Sequence, residues 1–333
     1  MFLFFDYIHM NYGLPYKGSK NKIAEWVVSN FPQKDNFYDL FAGGCAITHC
    51  AMLQNKFETY TINDVLDISQ LFVDAINGKY KNETRWINRE DFYKLKDSEP
   101  YIKTCWSFGN NGRTYLYSKE IEPYKKACHF AIVFDQWEEL KKLCPEIVSV
   151  SQNVLKDKTD IKQRRLAFGP AVVKELKRLN NWNLVQNNIL YKSCHWRKNG
   201  LKEKQVDLQR LESLQSLESL QRLNIFKGSY KDVPIKQNSL IYCDIPYKNT
   251  DKYDNDFDYE EFYTWAENQT EPVIISEYSC PLERFTILGA QRKTVCLSAV
   301  SAGYATEFLF VPTKQIENGI FKIKNKIEQL ELF

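Results

Sequence analysis

Leu240-Ile-Tyr-Cys-Asp-Ile-Pro-Tyr247 is the stretch that decides the fold. Leu240 to Cys243 runs without polar alternation, the pattern of a strand buried on both faces of a parallel sheet. The run stops at Asp244-Ile-Pro-Tyr247, which sets a carboxylate, a proline and an aromatic ring at the carboxyl end of that strand. In an open α/β sheet this is the edge where ligands bind. Proline fixes φ and removes a donor, so the loop is stiff and the carbonyls before it can accept. Asp244 can accept from an amine, and Tyr247 offers a flat face to a ring. The same four residues also suit a plain strand-end turn with a solvated Asp, so their meaning depends on the rest of the chain.

Upstream, Ile23, Trp26, Val27 and Asn30 recur at helical spacing, which predicts a helix over Lys22 to Phe31 closed by Pro32. Strands are predicted at Phe37–Phe41 and Thr59–Ile62, each followed by a helix, at Ala46–Gln54 and Ile68–Ile76. This βαβα alternation signals a parallel sheet covered by helices. The pattern lapses after Ile76 and returns at Leu240. A helix around Tyr259–Asn268, a strand at Pro272–Ser276 and a hairpin of Arg292–Leu297 with Glu307–Val311 follow. The expected fold is α/β: a Rossmann-like, mostly parallel sheet with a C-terminal antiparallel hairpin and an inserted, mainly helical region. The expected boundaries are 12–78 with 224–312 for the sheet domain and 79–207 for the insertion. Residues 208–223 form a leucine repeat of period three and 313–333 a tail. On an α-helix a three-residue step turns about 300°, so these leucines circle the helix rather than form a stripe. An irregular surface helix is the expectation there.

The chain has 333 residues and is 44% hydrophobic, which allows a sizeable packed core. A net charge of +3 says little, but Ser151 to Lys204 holds 13 Lys and Arg against four Asp and Glu. Such a local basic field suits a polyanion, although a solvated helical face has the same composition. Nine cysteines include no CxxC pair and there are four histidines, so no zinc spacing appears and no metal is expected. Cys194 and His195 are adjacent, a poor geometry for joint ligation. A reduced, cytoplasmic chain is the simplest account. Met1-Phe-Leu-Phe-Phe5 lacks a basic leader, and no run of 18 apolar residues reads as a membrane span.

Phe41-Ala-Gly-Gly44 follows a predicted strand and opens a helix, where glycine lets a ligand approach the backbone. Asp64 ends the next strand, 21 residues after Gly43. There a carboxylate can accept from ribose hydroxyls or cap a helix. Tyr16-Lys-Gly-Ser-Lys20 precedes the first helix and could border a cofactor and a base. The chain order Tyr16-Lys-Gly-Ser-Lys20, Asp39-Leu-Phe-Ala-Gly-Gly44, Asn63-Asp64 and Tyr242-Cys-Asp-Ile-Pro-Tyr247 resembles the Dam-like N6-adenine DNA methyltransferases over about half the chain. The resemblance implies S-adenosylmethionine as cofactor, bordered by Tyr16, Lys20, Asp39, Phe41, Gly43, Asp64 and Asp244. It implies catalysis by Asp244, Pro246 and Tyr247 on an adenine flipped out of double-stranded DNA, with the insertion recognising the target. Ile245 departs from the family's first proline, which removes a rigidifier but no functional group. Cys45 departs from a third small residue of the glycine turn.

Asn110, Asn111 and Arg113 could reach base edges, and Arg164, Arg165 and Arg197 could meet phosphates. A polar loop and a solvated helix face are the competing readings. The alternatives in function are N4-cytosine methylation on the same scaffold, protein amide methylation, and a catalytically silent DNA-binding protein. Asp at the head of the tetrapeptide favours adenine over the amide. A monomer is expected, in a viral, restriction–modification or regulatory setting.

Overall fold

The computed structural model describes residues 12–15, 18–66, 68–178, 211, 218–247, 257–296 and 302–323. Tyr16, Arg197, Cys194, His195 and most of the leucine repeat lie outside them. The chain divides into two compact units, one of residues 1–14, 18–73 and 213–333 and one of 15–17 and 74–212.

The first unit is built on a seven-stranded sheet in the order β3-β2-β1-β4-β5-β7-β6. Its strands are β1 (Asn36–Asp39), β2 (Thr59–Asp64), β3 (Leu223–Lys227), β4 (Ser239–Cys243), β5 (Val273–Glu277), β6 (Phe285–Cys296) and β7 (Ala302–Pro312). Strands β1 to β5 are parallel, while β7 runs antiparallel between β5 and β6. A mostly parallel sheet ending in an antiparallel hairpin is the fold that the pattern announced. From β1 the chain winds outward through β2 to β3, then crosses back to place β4 on the other side of β1. The β1–β4 seam is therefore the topological switch point, where a crevice opens at the carboxyl ends.

Both faces of the parallel strands are buried, which explains their unbroken apolar runs. Ile241, Cys243, Tyr38 and Ile275 pack with Phe262 and Tyr263 of the helix Tyr259–Glu267. On the other face, Phe31 after α1 (Ala24–Ser29) lies 5.4 Å from the Phe37 ring and 5.6 Å from that of Tyr242. Helix α2 (Ala46–Leu53) follows β1, and α3 (Ile68–Ile76) spans the predicted residues.

Some expectations shift. The first helix is split: Asn21–Ile23 forms a 3-10 turn before α1. The hairpin strands run much longer than predicted, with an irregularity between Ile287 and Gly289. Strand β3 is not visible in the pattern, because its first residue, Leu223, is the last leucine of the repeat. A 3-10 helix, Glu218–Arg222, leads straight into it.

The second unit is helical, with segments at Arg89–Leu95, Pro100–Cys105, Glu122–Phe134, Glu138–Leu143, Val148–Leu155 and Ile161–Arg178. Its core gathers Ala131, Leu140, Ile147, Phe168 and Val172. Here the phosphate role expected of Arg164 and Arg165 is corrected. Arg164 is 8% exposed and donates from Nε to the Ile132 carbonyl at 2.5 Å and from Nη1 to the Lys158 carbonyl at 3.1 Å. Its Nη2 reaches the Ala131 carbonyl at 3.3 Å and Asp135 at 2.5 Å. Arg165 is 5% exposed and donates to the Glu83 carbonyl at 3.0 Å. Arg164 therefore fastens helices together inside the unit, and Arg165 ties its helix to the segment at Glu83. A charge count along the chain registers the guanidinium groups and not their burial.

Candidate active site

Three carboxylates arrive at the switch point from three adjacent strand ends. Asp39 closes β1, Asp64 closes β2, and Asp244 follows β4. Register sets Asp64 and Asp244 each two residues beyond Asp39, which pairs with Ile62 on one side and Tyr242 on the other. Asn63 pins the strand ends, donating its amide to the carbonyls of Leu40 and Gly228, both at 3.1 Å.

The glycine turn lies against this edge. Gly43 takes φ +46° and Cys45 φ +56°, so the residue that departs from the family's small position adopts the left-handed region itself. Gly43 donates its N–H to Asp64 Oδ2 at 2.8 Å, and Leu66 donates to Oδ1 at 2.9 Å. Asp64 thus ties the turn to β2, and its carboxylate retains acceptor capacity. The turn is also clasped from outside by Tyr12–Leu14. Leu14 donates to the Gly44 carbonyl at 2.7 Å and Gly13 to His49 Nδ1 at 2.8 Å. Gly13 sits at φ +69°, and a Cβ there would lie 2.3 Å from the Gly44 oxygen, so only glycine fits. This clasp has no sequence signal beyond the glycine itself.

Lys20 is 3% exposed. Its ammonium donates to Asp244 Oδ1 and to the Tyr247 hydroxyl at 2.5 Å, and lies 3.6 Å from Glu307 Oε1. Burial alone would pull its pKa down, but Asp244 and Glu307 outweigh that and hold it above the ordinary lysine value. Glu307, wholly buried on β7, accepts from the Tyr247 hydroxyl at 2.9 Å and from Ser276 Oγ at 2.7 Å. The Tyr247 ring stacks on Tyr278 with centroids 4.4 Å apart and planes 22° from parallel. Pro246 is held through its carbonyl by the Tyr259 hydroxyl at 2.8 Å. Phe41 turns its ring toward Tyr230, Phe257 and Phe262.

Sequence reasoning named Lys20, Asp39, Phe41, Gly43, Asp64, Asp244, Pro246 and Tyr247, and the structure places all eight in this unit, along or beside the carboxyl edge. It missed Ser276, Glu277, Tyr278 and Glu307. A Ser-Glu pair closing the apolar strand β5 and a Glu opening the apolar half of β7 were the only signals.

The electrostatics of this edge are acidic. Burial pushes the Asp39 carboxyl up to about 7, against the Thr48 hydroxyl that donates to it at 2.7 Å. Burial likewise raises Glu277 to about 8 and lifts Asp64 above the usual carboxylate range. Asp39 Oδ1, Asn63 Oδ1 and Glu277 Oε2 are buried and find no hydrogen-bond partner among the described residues. Polar atoms left in this state can meet a ligand that brings donors or positive charge. Among the described residues no group of His, Cys, Asp and Glu is arranged to hold a metal, and no helix is long and apolar enough to cross a membrane.

In the second unit, Asn110, Asn111 and Arg113 share one tight loop. Asn111 Oδ1 accepts from the N–H groups of Arg113 at 2.8 Å and Thr114 at 2.9 Å, so its oxygen is spent on shaping the turn. Arg113 is exposed, and Phe108 beside it is 57% exposed.

Two comparisons bear on this geometry. The model of the D12 class N6 adenine-specific DNA methyltransferase family matches residues 16–277. No curated protein matches the chain.

Proposed function

The chain belongs to the D12 class N6 adenine-specific DNA methyltransferases, and from that premise we propose that its β1–β4 crevice binds S-adenosylmethionine beside a flipped-out adenine. The family assignment fixes adenine N6 as the acceptor, over the cytosine alternative. The observation that carries the cofactor reading is the convergence of Asp39, Asp64 and Asp244 with the Gly43 turn at one sheet edge. The residues present fit the group. Asp64 and the unpartnered Asn63 oxygen can accept from ribose hydroxyls, and the acidic basin around Asp39 suits a cation. When bound, S-adenosylmethionine supplies a methyl group on a positively charged sulfur.

The rest is done by the chain's own groups. The N6 lone pair of adenine is delocalised into the ring, which makes it a poor nucleophile. Asp244 and the Ile245 carbonyl accept its two N–H bonds, so the nitrogen can pyramidalise and expose the pair. No base of shifted pKa is needed first, since the nitrogen becomes acidic once alkylated. Holding the reactants at near-attack distance supplies most of the acceleration. Tyr247 holds the ring of the base, a contact of about 1–3 kcal/mol, while Tyr278 stacks on the Tyr247 ring and braces it. Extruding the base costs a few kcal/mol, offset by phosphate contacts elsewhere on the chain. We assign target recognition to the insertion at 79–207, with Asn110, Arg113 and the amide nitrogen of Asn111 as its base-reading candidates.

The test is Asp244→Ala. It is predicted to abolish methyl transfer to adenine while DNA affinity, read by fluorescence anisotropy, stays within a few fold. Turnover equal to that of the parent protein would falsify the assignment. A titration with S-adenosylmethionine, compared between the parent and Asp64→Ala, tests the cofactor separately.

A further inference from the structure

We propose that Glu307 is a positioning residue for this reaction, acting through Lys20 and the Tyr247 hydroxyl to keep Asp244 an aimed acceptor of net negative charge. The proposal rests on the reading of Asp244 as the group that accepts from the target amine.

The argument starts from the buried ammonium. Lys20 is 3% exposed and donates to Asp244, the residue that must also receive N6. A lysine and an aspartate alone would form a neutral pair, and neutralised Asp244 would accept from an amine weakly. Glu307 changes the sum. It places a second carboxylate 3.6 Å from the same ammonium, and the three groups together carry one negative charge. Glu307 is 0% exposed, so its charge is not dissipated into water. It is kept in place by hydroxyl donors from two other segments, Ser276 at the end of β5 and Tyr247 after β4. The Tyr247 hydroxyl accepts from Lys20 and donates to Glu307, which fixes the ring that meets the base.

A buried carboxylate could serve only to compensate Lys20 for folding, and the pH dependence of turnover separates the two roles. The groups facing Lys20 are Asp244 and Tyr247 after β4, Glu307 on β7 and Tyr278 after β5, while Glu277 and Asp39 feel its charge from β5 and β1. Asp244 and Glu307 are what hold the ammonium protonated against burial. With Glu307 neutral, Lys20 releases its proton at lower pH and Asp244 loses its anchor there.

Glu307→Gln is therefore expected to lower kcat about tenfold near neutrality and to move the alkaline limb of kcat down by about one pH unit, a tenfold change in the proton equilibrium. KM for DNA should stay within about twofold. Glu307→Asp, which keeps the charge, should return the limb toward its original position. A folded Glu307→Gln protein with the parent's limb and kcat overturns the proposal. If that variant does not fold, Glu307→Met is read in the same way, since it also removes the charge beside Lys20. A shifted limb supports the proposal and an unmoved one overturns it. The parent protein separates this from its premise: no transfer to adenine by the parent removes both, whereas transfer with an unmoved limb in the variant removes this proposal alone.

Discussion

Tyr247 joins three roles in one side chain: its ring stacks on Tyr278, its hydroxyl accepts from Lys20, and the same hydroxyl donates to Glu307. Burial and the neighbouring carboxylates push its pKa far up, so the phenol stays protonated and keeps donating. Tyr247→Ala is predicted to reduce turnover by about 10–100-fold, the equivalent of the stacking energy, with DNA affinity changed only a few fold. An equal loss in both measurements would assign Tyr247 to DNA binding in general. At this scale the sequence was readable wherever a residue ends a strand. Asp39, Asp64 and Asp244 are polar stops after apolar runs, and a stop of that kind has one place to go in a parallel sheet. Glu307 was not readable, because a glutamate in a predicted hairpin strand reads by default as an outward-facing residue. Only the pairing of β7 beside β5 reveals that it points into the site.

Elements divide the same way. Strands β1, β2 and β4 and helix α3 follow from periodicity, since burial on one or two faces leaves a direct imprint on composition. Strand β3 did not, because it continues a leucine repeat and lies at the sheet edge, with Ile225 and Phe226 partly exposed. The helix Ile161–Arg178 is the opposite lesson: its basic residues suggested phosphate, yet Arg164 satisfies carbonyls of two other segments. Arg164→Ala strands those buried carbonyls and is predicted to cost about 2–4 kcal/mol of stability. The check is urea denaturation alongside DNA affinity at two salt concentrations. A phosphate contact would instead leave stability alone and flatten the salt dependence.

For the whole molecule, the acidic edge links folding to pH. Asp39 and Glu277 titrate at about 7 and about 8 in the folded chain, above their ordinary values of 3.8 and 4.5. The folded state therefore holds protons that the unfolded chain has released, and this contribution is lost as pH rises toward 8. Thermal stability is predicted to fall between pH 5 and pH 8 on this account, as the cited shifts require. The fall should be shallower in the Asp39→Asn, Glu277→Gln double variant, and parallel melting curves across that range would contradict it. The order of the chain has one more consequence. Translation delivers Lys20 early and Glu307 only with β7, the last strand among the described residues. A nascent or prematurely terminated product would carry the tetrapeptide and the whole insertion before the last carboxylate exists. Such fragments lack the pairing of β7 with β5 as well as Glu307 and are expected to be silent on DNA.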